Sequence, residues 1–373
     1  MKVRAAVLRE SGLPRPYAQS RPLEVTEVEL DPPGSGELLV RVGAAGLCHS
    51  DLSVIDGSRP RPLPMVLGHE AAGTVEEVGP DVTGFEPGDH VVLAFVPACG
   101  DCAPCRAGRP ALCEPGAAAN VAGELLSGGR RWREGGARLN HHLGVSAFAE
   151  HIVVSSASAV RVDRALPFDV AALFGCAVLT GVGAVLNAGR PAEGDTVAVF
   201  GLGGVGLAAV LGARLARAAA VIGVDVVPAK LDRARELGAT AVVDAGSDPV
   251  EAIRELTGGG AEVVVETAGS ASVLAQAYAA TRRGGTTVTV GLPDPGQLLQ
   301  IPAVTLTAEE RVLRGSYLGS SVPARDIPHL VGLHLEGRLP VDRLISHRLG
   351  LDDVNAGFDR LAAGEAVRQV IVC

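Results

Sequence analysis

The stretch TVAVFGLGGVGLAAVLGARLA, residues 196–216, joins a short apolar run to a helical segment through three glycines spaced as GxGxxG. Gly201, Gly203 and Gly206 suit a tight turn that brings backbone N–H groups close to a pyrophosphate at a helix N-terminus. Asp225 ends the next apolar run, where a carboxylate can accept hydrogen bonds from the hydroxyls of an adenosine ribose. The stretch therefore predicts a dinucleotide-binding βαβ unit.

The residues around Asp225 favour NAD over NADP. Val226 and Val227 supply no arginine for a 2′-phosphate, and the Asp225 carboxylate would repel one. The alternative is a glycine-rich turn that only packs a helix against a sheet. The combination of strand, glycines, helix and distal aspartate favours the cofactor site instead.

The pattern of apolar runs, turn residues and helix-forming residues changes twice along the chain. Over the first 175 or so residues, short β-branched runs such as 37–42 and 90–95 alternate with Gly- and Pro-rich turns, which predicts mostly antiparallel strands. From about residue 195, apolar strands alternate with Ala-, Leu- and Arg-rich helices, which predicts a parallel sheet. Residues 321–373 predict two helices and a closing strand, whereas the polar insert 123–142 predicts a loop.

Length and composition exclude several classes of protein. A chain of 373 residues with 47% hydrophobic content can bury two cores. The net charge of −9 argues against a general nucleic-acid binder, and no apolar run is long enough to cross a membrane. Seven unevenly placed cysteines, without an export signal, favour reduced thiols that act as ligands in a cytoplasmic protein.

Most of the cysteines are concentrated in CGDCAPCRAGRPALC, residues 99–113. The cluster consists of Cys99, Cys102, Cys105 and Cys113. The spacing is too tight for separate disulfides and suits one tetrahedral ion with no open position, as in a structural zinc site. An iron–sulfur cluster shares the first spacings and is the alternative.

Two quieter segments also carry residues that can bind metal. Cys48 lies in GLCHSD (46–51) and His69 in GHE (68–70), each at a turn between predicted strands. Either residue alone is better explained as an ordinary buried side chain. Asp51 and Glu70 lie beside them, however, and carboxylates of this kind orient metal ligands.

The motifs GLCHSD, GHE, the four-cysteine cluster, FGCAVLTGVGA (174–184) and GLGGVG occur in the order and approximate spacing of zinc-containing alcohol dehydrogenases of the medium-chain dehydrogenase/reductase family. The resemblance runs from end to end and is closest to the longer, classical and formaldehyde-dehydrogenase-like subgroup. It implies an α/β chain with a GroES-like, mainly antiparallel β catalytic domain over 1–178 that includes a structural zinc lobe at 96–115. A Rossmann domain with a doubly wound parallel sheet then binds NAD over 179–320, and 321–373 returns to the catalytic domain.

The resemblance also implies two zinc ions per chain, the second of them at the four-cysteine lobe. Six positions match the catalytic group: Cys48, His69 and Cys176 as zinc ligands, Ser50 as the hydroxyl that hydrogen-bonds the substrate oxygen, and Asp51 and Glu70 as acids behind the ligands. A Cys2His set leaves the fourth tetrahedral position open, as a catalytic zinc needs. Spacing alone could not have selected Cys176, because it lies far along the chain from His69.

Other positions match contacts to NAD or to substrate. The expected cofactor contacts are Gly201, Gly203, Gly204, Val205 and Gly206 in the loop, Thr180, Val290 and Leu292 near the nicotinamide, His49 and Arg368 near the pyrophosphate, and Asp225 and Lys230 near the ribose. His49, Lys230 and Arg368 could instead be solvated surface charges. Phe95 and Leu143 are expected to line an apolar substrate pocket, although each could equally be plain core.

The expected reaction is the reversible oxidation of a primary aliphatic or aromatic alcohol to its aldehyde, with hydride transfer to NAD. Zinc would lower the pKa of the bound alcohol, and Ser50 would take up its proton. A thiol-adduct-linked formaldehyde dehydrogenase is the alternative within the family, although Cys113 is followed by EPGAAA without the arginine of glutathione-linked enzymes. A zinc-free reductase or a non-enzymatic NAD-binding sensor would be marked by a lost ligand or a lost Ser50, and neither is lost.

One departure from the family concerns proton transfer. Classical members carry a relay histidine five residues after the first zinc-ligand cysteine, and this chain has Ser53 there. A hydroxyl cannot act as a base near neutral pH as imidazole can. The expected partners are a small alcohol or aldehyde and a second copy of the chain in a homodimer, with a tetramer possible and no nucleic acid or membrane.

Overall fold

The computed structural model describes residues 1–373, which form two compact units. The first comprises Met1–Cys176, Val322–Glu336 and Ile345–Cys373, and the second comprises Ala177–Ser321 and Gly337–Leu344. Antiparallel strands dominate the first unit and a parallel sheet flanked by helices forms the second, which confirms the predicted α/β class. The segment Gly337–Leu344 belongs to the second unit, so the C-terminal return of the chain to the first unit is interrupted once.

Eighteen strands follow one another along the chain. They are β1 (Lys2–Leu8), β2 (Leu23–Leu30), β3 (Glu37–Gly46), β4 (Met65–Val66), β5 (Glu70–Val78), β6 (His90–Leu93), β7 (Trp132–Glu134), β8 (Ala137–His141), β9 (His151–Ser155), β10 (Ala159–Arg161), β11 (Thr196–Phe200), β12 (Ala220–Asp225), β13 (Ala241–Asp244), β14 (Ala261–Glu266), β15 (Thr281–Thr289), β16 (Val312–Gly315), β17 (His347–Leu349) and β18 (Gln369–Val372).

Thirteen α-helices accompany the strands. They are α1 (Tyr17–Ser20), α2 (His49–Ile55), α3 (Ala103–Arg106), α4 (Glu114–Ala122), α5 (Phe168–Ala172), α6 (Ala177–Gly183), α7 (Gly204–Leu215), α8 (Pro228–Glu236), α9 (Pro249–Thr257), α10 (Ala271–Ala280), α11 (Val304–Ala308), α12 (Pro323–Leu335) and α13 (Val354–Ala362). No single helix is both long and apolar enough to cross a bilayer; one bent pair, 168–175 with 177–189, reaches that length and composition only when taken together.

The first unit contains a closed barrel, in the order β1, β2, β7, β8 and β4, and a seven-stranded sheet built around β3 and β5. The prediction of a loop over 123–142 was wrong, because β7 and β8 lie within that segment and complete the barrel. Trp132 and Leu139 face the core and are fully buried, whereas Arg133 and Arg138 face outward and pair with Asp31. Buried and exposed side chains alternate here, as in a sheet with one face in contact with solvent. The exposed arginines make the segment polar overall, and for that reason its sequence resembled a loop.

The second unit is built on a six-stranded sheet in the order β13, β12, β11, β14, β15 and β16, with every neighbouring pair parallel. The chain starts in the middle at β11, moves outward to β13, and then crosses back to β14. Ligands bind beyond the carboxyl ends of the strands at such a reversal of strand order. The glycine loop follows β11, which puts it at that point.

Candidate functional site

Cys48, His69 and Cys176 converge in the first unit, and their candidate ligand atoms all lie within 4.8 Å of one another. Cys48 immediately precedes α2, His69 immediately precedes β5, and Cys176 follows a helical turn at 173–175. All three side chains are buried, and His69 Nε2 has no hydrogen-bond partner in the protein. A buried imidazole nitrogen without a partner is costly, and a metal ion would satisfy it. The donor set fits a tetrahedral zinc with one open position.

The electrostatics of this cluster favour the forms of the side chains that bind metal. The Cys176 thiol, His69 and Arg368 lower the pKa of Cys48 well below its ordinary value, although burial acts in the opposite direction. Burial opposes protonation of His69, but the charges of Asp51 and Cys48 outweigh it and raise the pKa of His69 to about 10. Without metal, the Cys48 thiolate thus faces a protonated His69. A bound cation could replace the proton of His69 and supply the same positive charge.

Asp51 orients the histidine from behind. Its Oδ1 accepts a hydrogen bond from the Gly68 N–H at 3.1 Å and lies 3.1 Å from His69 Nδ1. The carboxylate is completely buried. Burial raises the pKa of Asp51, but His69 and His142 outweigh it and lower the pKa below its ordinary value. A carboxylate bound to Nδ1 leaves Nε2 free to act as the ligand atom.

Glu70 and Arg368 form a buried ion pair beside the ligands. The Arg368 guanidinium contacts both carboxylate oxygens of Glu70, with Nε 3.1 Å from Oε1, and Nη1 donates to the Leu47 carbonyl at 3.2 Å. Gly46 makes room for the pair, because a Cβ there would lie 2.8 Å from Glu70 Oε1. The charge of Arg368 also helps to lower the pKa of Cys48. The expected contact between Arg368 and a pyrophosphate stays a prediction.

Helix α2 carries three polar residues that the sequence analysis discusses. His49 is exposed, while Ser50 and Ser53 are partly buried. The Ser53 hydroxyl donates to the His49 carbonyl at 2.9 Å, one helical turn earlier. Its only proton is therefore used within the helix, which makes Ser53 a poor substitute for a relay histidine.

His142 also belongs to this cluster, although the sequence analysis did not select it. Its Nε2 lies 3.3 Å from Asp51 Oδ1, and its ring meets that of His69 edge-on with centroids 5.6 Å apart. Burial lowers the pKa of His142 despite the neighbouring Asp51, so the ring is neutral near pH 7. The sequence offered one indication of its role, because His142 directly precedes Leu143, an expected pocket residue. His142 was overlooked because residues 123–142 were predicted to form a loop.

The two residues expected in the substrate pocket lie in the same region of the first unit. The Phe95 ring packs edge-on against His69 with centroids 5.5 Å apart. Leu143 is almost fully buried and has a φ of 51°, which is unusual for a bulky residue. Phe95 therefore borders the ligand cluster directly, and Leu143 follows His142 in a constrained turn.

The four-cysteine lobe is a second, separate cluster. The sulfur atoms of Cys99, Cys102, Cys105 and Cys113 lie within 4.8 Å of one another, and none forms a disulfide. The N–H groups of Cys99 and Gly116 point at Cys113 Sγ at 3.2 and 3.4 Å, and that of Cys102 points at Cys99 Sγ at 3.3 Å. The backbone N–H groups of Asp101 and Cys102 lower the pKa of Cys99 to about 7. The lobe fits a closed tetrahedral zinc site.

In the second unit, the glycine loop has the geometry that a dinucleotide site requires. Gly201 has a φ of 87°, and a Cβ on Gly206 would collide with the Gly201 carbonyl oxygen. A Cβ on Gly203 would meet nothing within 4 Å, so its backbone faces open space. No side chain caps the N-terminus of α7, which leaves its first N–H groups for an anion.

The other predicted cofactor residues of the second unit lie on several of its elements. Asp225 accepts hydrogen bonds from the Leu202 N–H at 2.7 Å and the Val227 N–H at 3.0 Å, which ties the glycine loop to the end of β12. Lys230 lies in the first turn of α8, and Thr180 is buried in α6. Val290 and Leu292 follow β15, where the Val290 N–H donates to the Glu266 carbonyl at 3.0 Å. Gly204 and Val205 begin α7.

Comparisons with known proteins identify the family of the chain. An alcohol dehydrogenase GroES-like domain model matches residues 34–164, and a zinc-binding dehydrogenase model matches 204–334. The chain is 40% identical to an NDMA-dependent alcohol dehydrogenase of Amycolatopsis methanolica over 100% of the chain and 99% of that protein. It is 36% identical to S-(hydroxymethyl)glutathione dehydrogenase of Paracoccus denitrificans over 100% of both chains.

Among solved structures, the benzyl alcohol dehydrogenase of Acinetobacter calcoaceticus matches with a TM-score of 0.93 and 33% identity. The match covers 100% of this chain and 99% of that one. The similarity thus spans both units. The chain belongs to the zinc-containing alcohol dehydrogenases of the medium-chain dehydrogenase/reductase family.

Proposed function

We propose that this alcohol dehydrogenase is zinc-dependent and NAD-linked and that it reversibly oxidises primary aliphatic or aromatic alcohols to aldehydes. The convergence of Cys48, His69 and Cys176 around an unpartnered His69 Nε2 carries the proposal. These three residues would hold the catalytic zinc, and the four-cysteine lobe would hold a structural one. A sensor without chemistry would have no need of a ligand set with an open position.

The bound zinc would act as a Lewis acid that lowers the pKa of the alcohol. Asp51 and Glu70 keep the ligands oriented, the first by its bond to His69 and the second by fixing Arg368 near Cys48. Ser50 would accept a hydrogen bond from the alcohol hydroxyl and would pass the proton on to solvent through its own hydroxyl. Phe95, which packs against His69, gives the reacting end of the substrate an apolar wall and so favours hydrophobic alcohols.

The second unit would supply the hydride acceptor, NAD. The open backbone at Gly203 and the uncapped start of α7 would receive the pyrophosphate, and the Asp225 carboxylate would bind the ribose hydroxyls. Thr180, Val205, Val290 and Leu292 would surround the nicotinamide, while Lys230 and His49 would add charge near the ribose and pyrophosphate. The carboxylate at Asp225 argues against NADP.

The test is a panel of primary aliphatic and benzylic alcohols, assayed with NAD by the absorbance of NADH on protein whose zinc content is measured. We expect two zinc per chain, turnover with NAD and little turnover with NADP. Parallel assays with NDMA as acceptor and with S-(hydroxymethyl)glutathione as substrate test the activities for which two of the relatives are named. Zinc-replete protein that oxidises no alcohol with any of these acceptors would refute the proposal.

We also propose that the chain forms a homodimer through one edge of the six-stranded sheet, the edge formed by β16. β16 ends the sheet, and exposed apolar residues lie on or before it: Leu298, Val304, Leu306 and Val312. An unpaired edge strand with apolar neighbours is a template for pairing with an identical copy. Val312→Lys should shift the mass measured by light scattering toward the monomer, whereas an unchanged mass would place the interface elsewhere.

The seven free thiols support a reducing compartment, and we propose the cytoplasm as the location. Fractionation of the native cells would test this.

A further inference from the structure

The carboxylate of Asp51 is less completely bonded than its burial demands. It is fully buried, and Oδ1 receives the Gly68 N–H and lies against His69 Nδ1, but Oδ2 has no hydrogen-bond partner. A buried charge with an unsatisfied oxygen costs free energy unless another donor or positive edge stabilises it. His142 is the remaining polar side chain at ion-pair distance from Asp51.

The backbone of the His142 turn is built to hold that ring in place. The His142 N–H donates to Ser146 Oγ at 2.8 Å, and Leu143, Gly144 and Ser146 all have positive φ values of 51°, 68° and 57°. Left-handed conformations in bulky or polar residues persist only where the surroundings impose them, and they concentrate at functional sites. The turn is therefore constrained more strongly than a simple connection between β8 and β9 requires.

The same turn is bonded directly to the turn that carries His69. The Ala147 N–H donates to the Gly68 carbonyl and the Phe148 N–H donates to the Leu67 carbonyl, both at 2.9 Å. Gly68 itself has a φ of 94°, and a Cβ there would lie 2.6 Å from the Phe148 nitrogen. The positions of His69 and His142 are thus fixed relative to each other through the backbone.

We propose that His142 is a positioning residue for the catalytic zinc: its buried Nε2 makes no hydrogen bond in the structure and lies 3.3 Å from Asp51 Oδ1, so a small rotation of the ring lets the Nε2–H hold the carboxylate that orients His69. Asp51 Oδ1 then lies between two imidazoles, His69 at 3.1 Å and His142 at 3.3 Å. Without His142, the carboxylate would be free to turn its unpartnered Oδ2 toward other donors, and His69 would lose its fixed orientation. Groups that act behind a metal ligand in this way typically change metal affinity by about 10- to 100-fold.

This inference rests on the proposed zinc-dependent function, and the rate of zinc release tests it without an activity assay. Holoenzyme would be mixed with excess EDTA, and the zinc remaining on the protein measured with time. We expect two phases in the native chain, one from each cluster. His142→Phe, which keeps the ring volume but removes the donor, should accelerate the phase from the Cys48, His69 and Cys176 site about ten-fold and leave the other phase unchanged.

Two further variants separate positioning from simple packing. His142→Gln retains an N–H donor and should restore most of the native rate. His151 is paired with Glu76 at 3.1 Å elsewhere in the first unit, so His151→Phe removes a histidine–carboxylate pair that does not touch the site and should leave both phases unchanged. Cobalt substituted at the catalytic site gives a second readout, because the visible absorption bands should shift in His142→Phe and not in His151→Phe.

The outcomes distinguish this inference from the proposed function. A native chain that holds two zinc ions, with release rates and cobalt bands unchanged in both His142 variants, would overturn the positioning role and leave the proposed function intact. A native chain that holds no zinc at the Cys48 site would overturn both. If His142→Phe does not fold, His142→Leu takes its place as the variant without a donor, and native release in that variant would overturn the positioning role.

Discussion

The two cysteine clusters of this protein differ in how they are assembled. The four cysteines of the lobe lie within residues 99–113, and backbone N–H groups of residues 99–116 point at their sulfur atoms. The cluster of Cys48, His69 and Cys176 instead comes from three separate segments and is backed by buried charges, Asp51 and Glu70 with Arg368. A closed set of four thiolates suits structure, whereas a set with an open position and buried charges behind it suits chemistry.

The largest expected effect follows from removing a ligand of the dispersed cluster. Cys48→Ser should lower kcat at least about a thousand-fold, because losing roughly 4 kcal/mol of Lewis-acid stabilisation gives that factor. The melting temperature should change little, since the rest of the first unit stays packed. Steady-state kinetics and calorimetry measure the two effects, and Cys373→Ser, at an exposed thiol, is the matched control. A variant that retains more than a tenth of native kcat would mean that Cys48 is not a ligand.

The equivalent change in the lobe should act on stability. Cys102→Ser should reduce the zinc content by one ion and lower the free energy of unfolding by about 3 kcal/mol, because metal-binding energy at a closed site is folding energy. The kcat of the folded fraction should stay within about three-fold of native. Equal loss of folding in Cys102→Ser and Cys48→Ser would remove the division of labour between the clusters.

A change in the second unit should leave both clusters unaffected. Asp225→Asn removes the charge and keeps only one of the two oxygens that accept the Leu202 and Val227 N–H groups, which should raise KM for NAD about ten-fold and weaken the preference for NAD over NADP. Zinc content should remain native. A native KM for NAD, measured at saturating alcohol, would contradict the role assigned to Asp225.

The last effect vanishes at neutral pH and concerns His141, the neighbour of His142. Burial, together with the charges of Arg131 and Arg130, lowers the pKa of His141 to about 3 from its ordinary 6.5. Between these values the unfolded chain binds a proton that the folded chain does not. The free energy of unfolding should therefore fall by up to about 1.4 kcal/mol per pH unit as the pH drops through this window. Above pH 6.5 His141 is neutral in both states, and no stability is lost through it.

His141→Gln should remove that part of the acid sensitivity. Its side-chain oxygen can still accept the Arg131 N–H, which His141 Nε2 accepts at 3.0 Å, but it takes up no proton in this range. Denaturant unfolding of both proteins from pH 7 to pH 4 measures the difference, with the exposed His347→Gln as control. Parallel pH profiles for native protein and His141→Gln would show that acid acts through the zinc ligands and not through the barrel.

The sequence predicts features that are local and misses those that depend on distant contacts. The glycine loop could be predicted because Gly201, Gly203 and Gly206 act within one turn, and the lobe because its thiols share one segment. Cys176 was selected only through the family resemblance. His142 escaped because its partner Asp51 lies far away in the chain and because the arginines around Trp132 resemble a loop.

The most direct measurement is anomalous X-ray diffraction from crystals of the holoenzyme at energies just above and just below the zinc edge. The assignment of two zinc sites predicts two zinc peaks per chain. One should be bounded by Cys48 Sγ, His69 Nε2 and Cys176 Sγ, and the other by the four sulfur atoms of the lobe. A single peak at the lobe, or a peak at the lobe that behaves as iron, would contradict it.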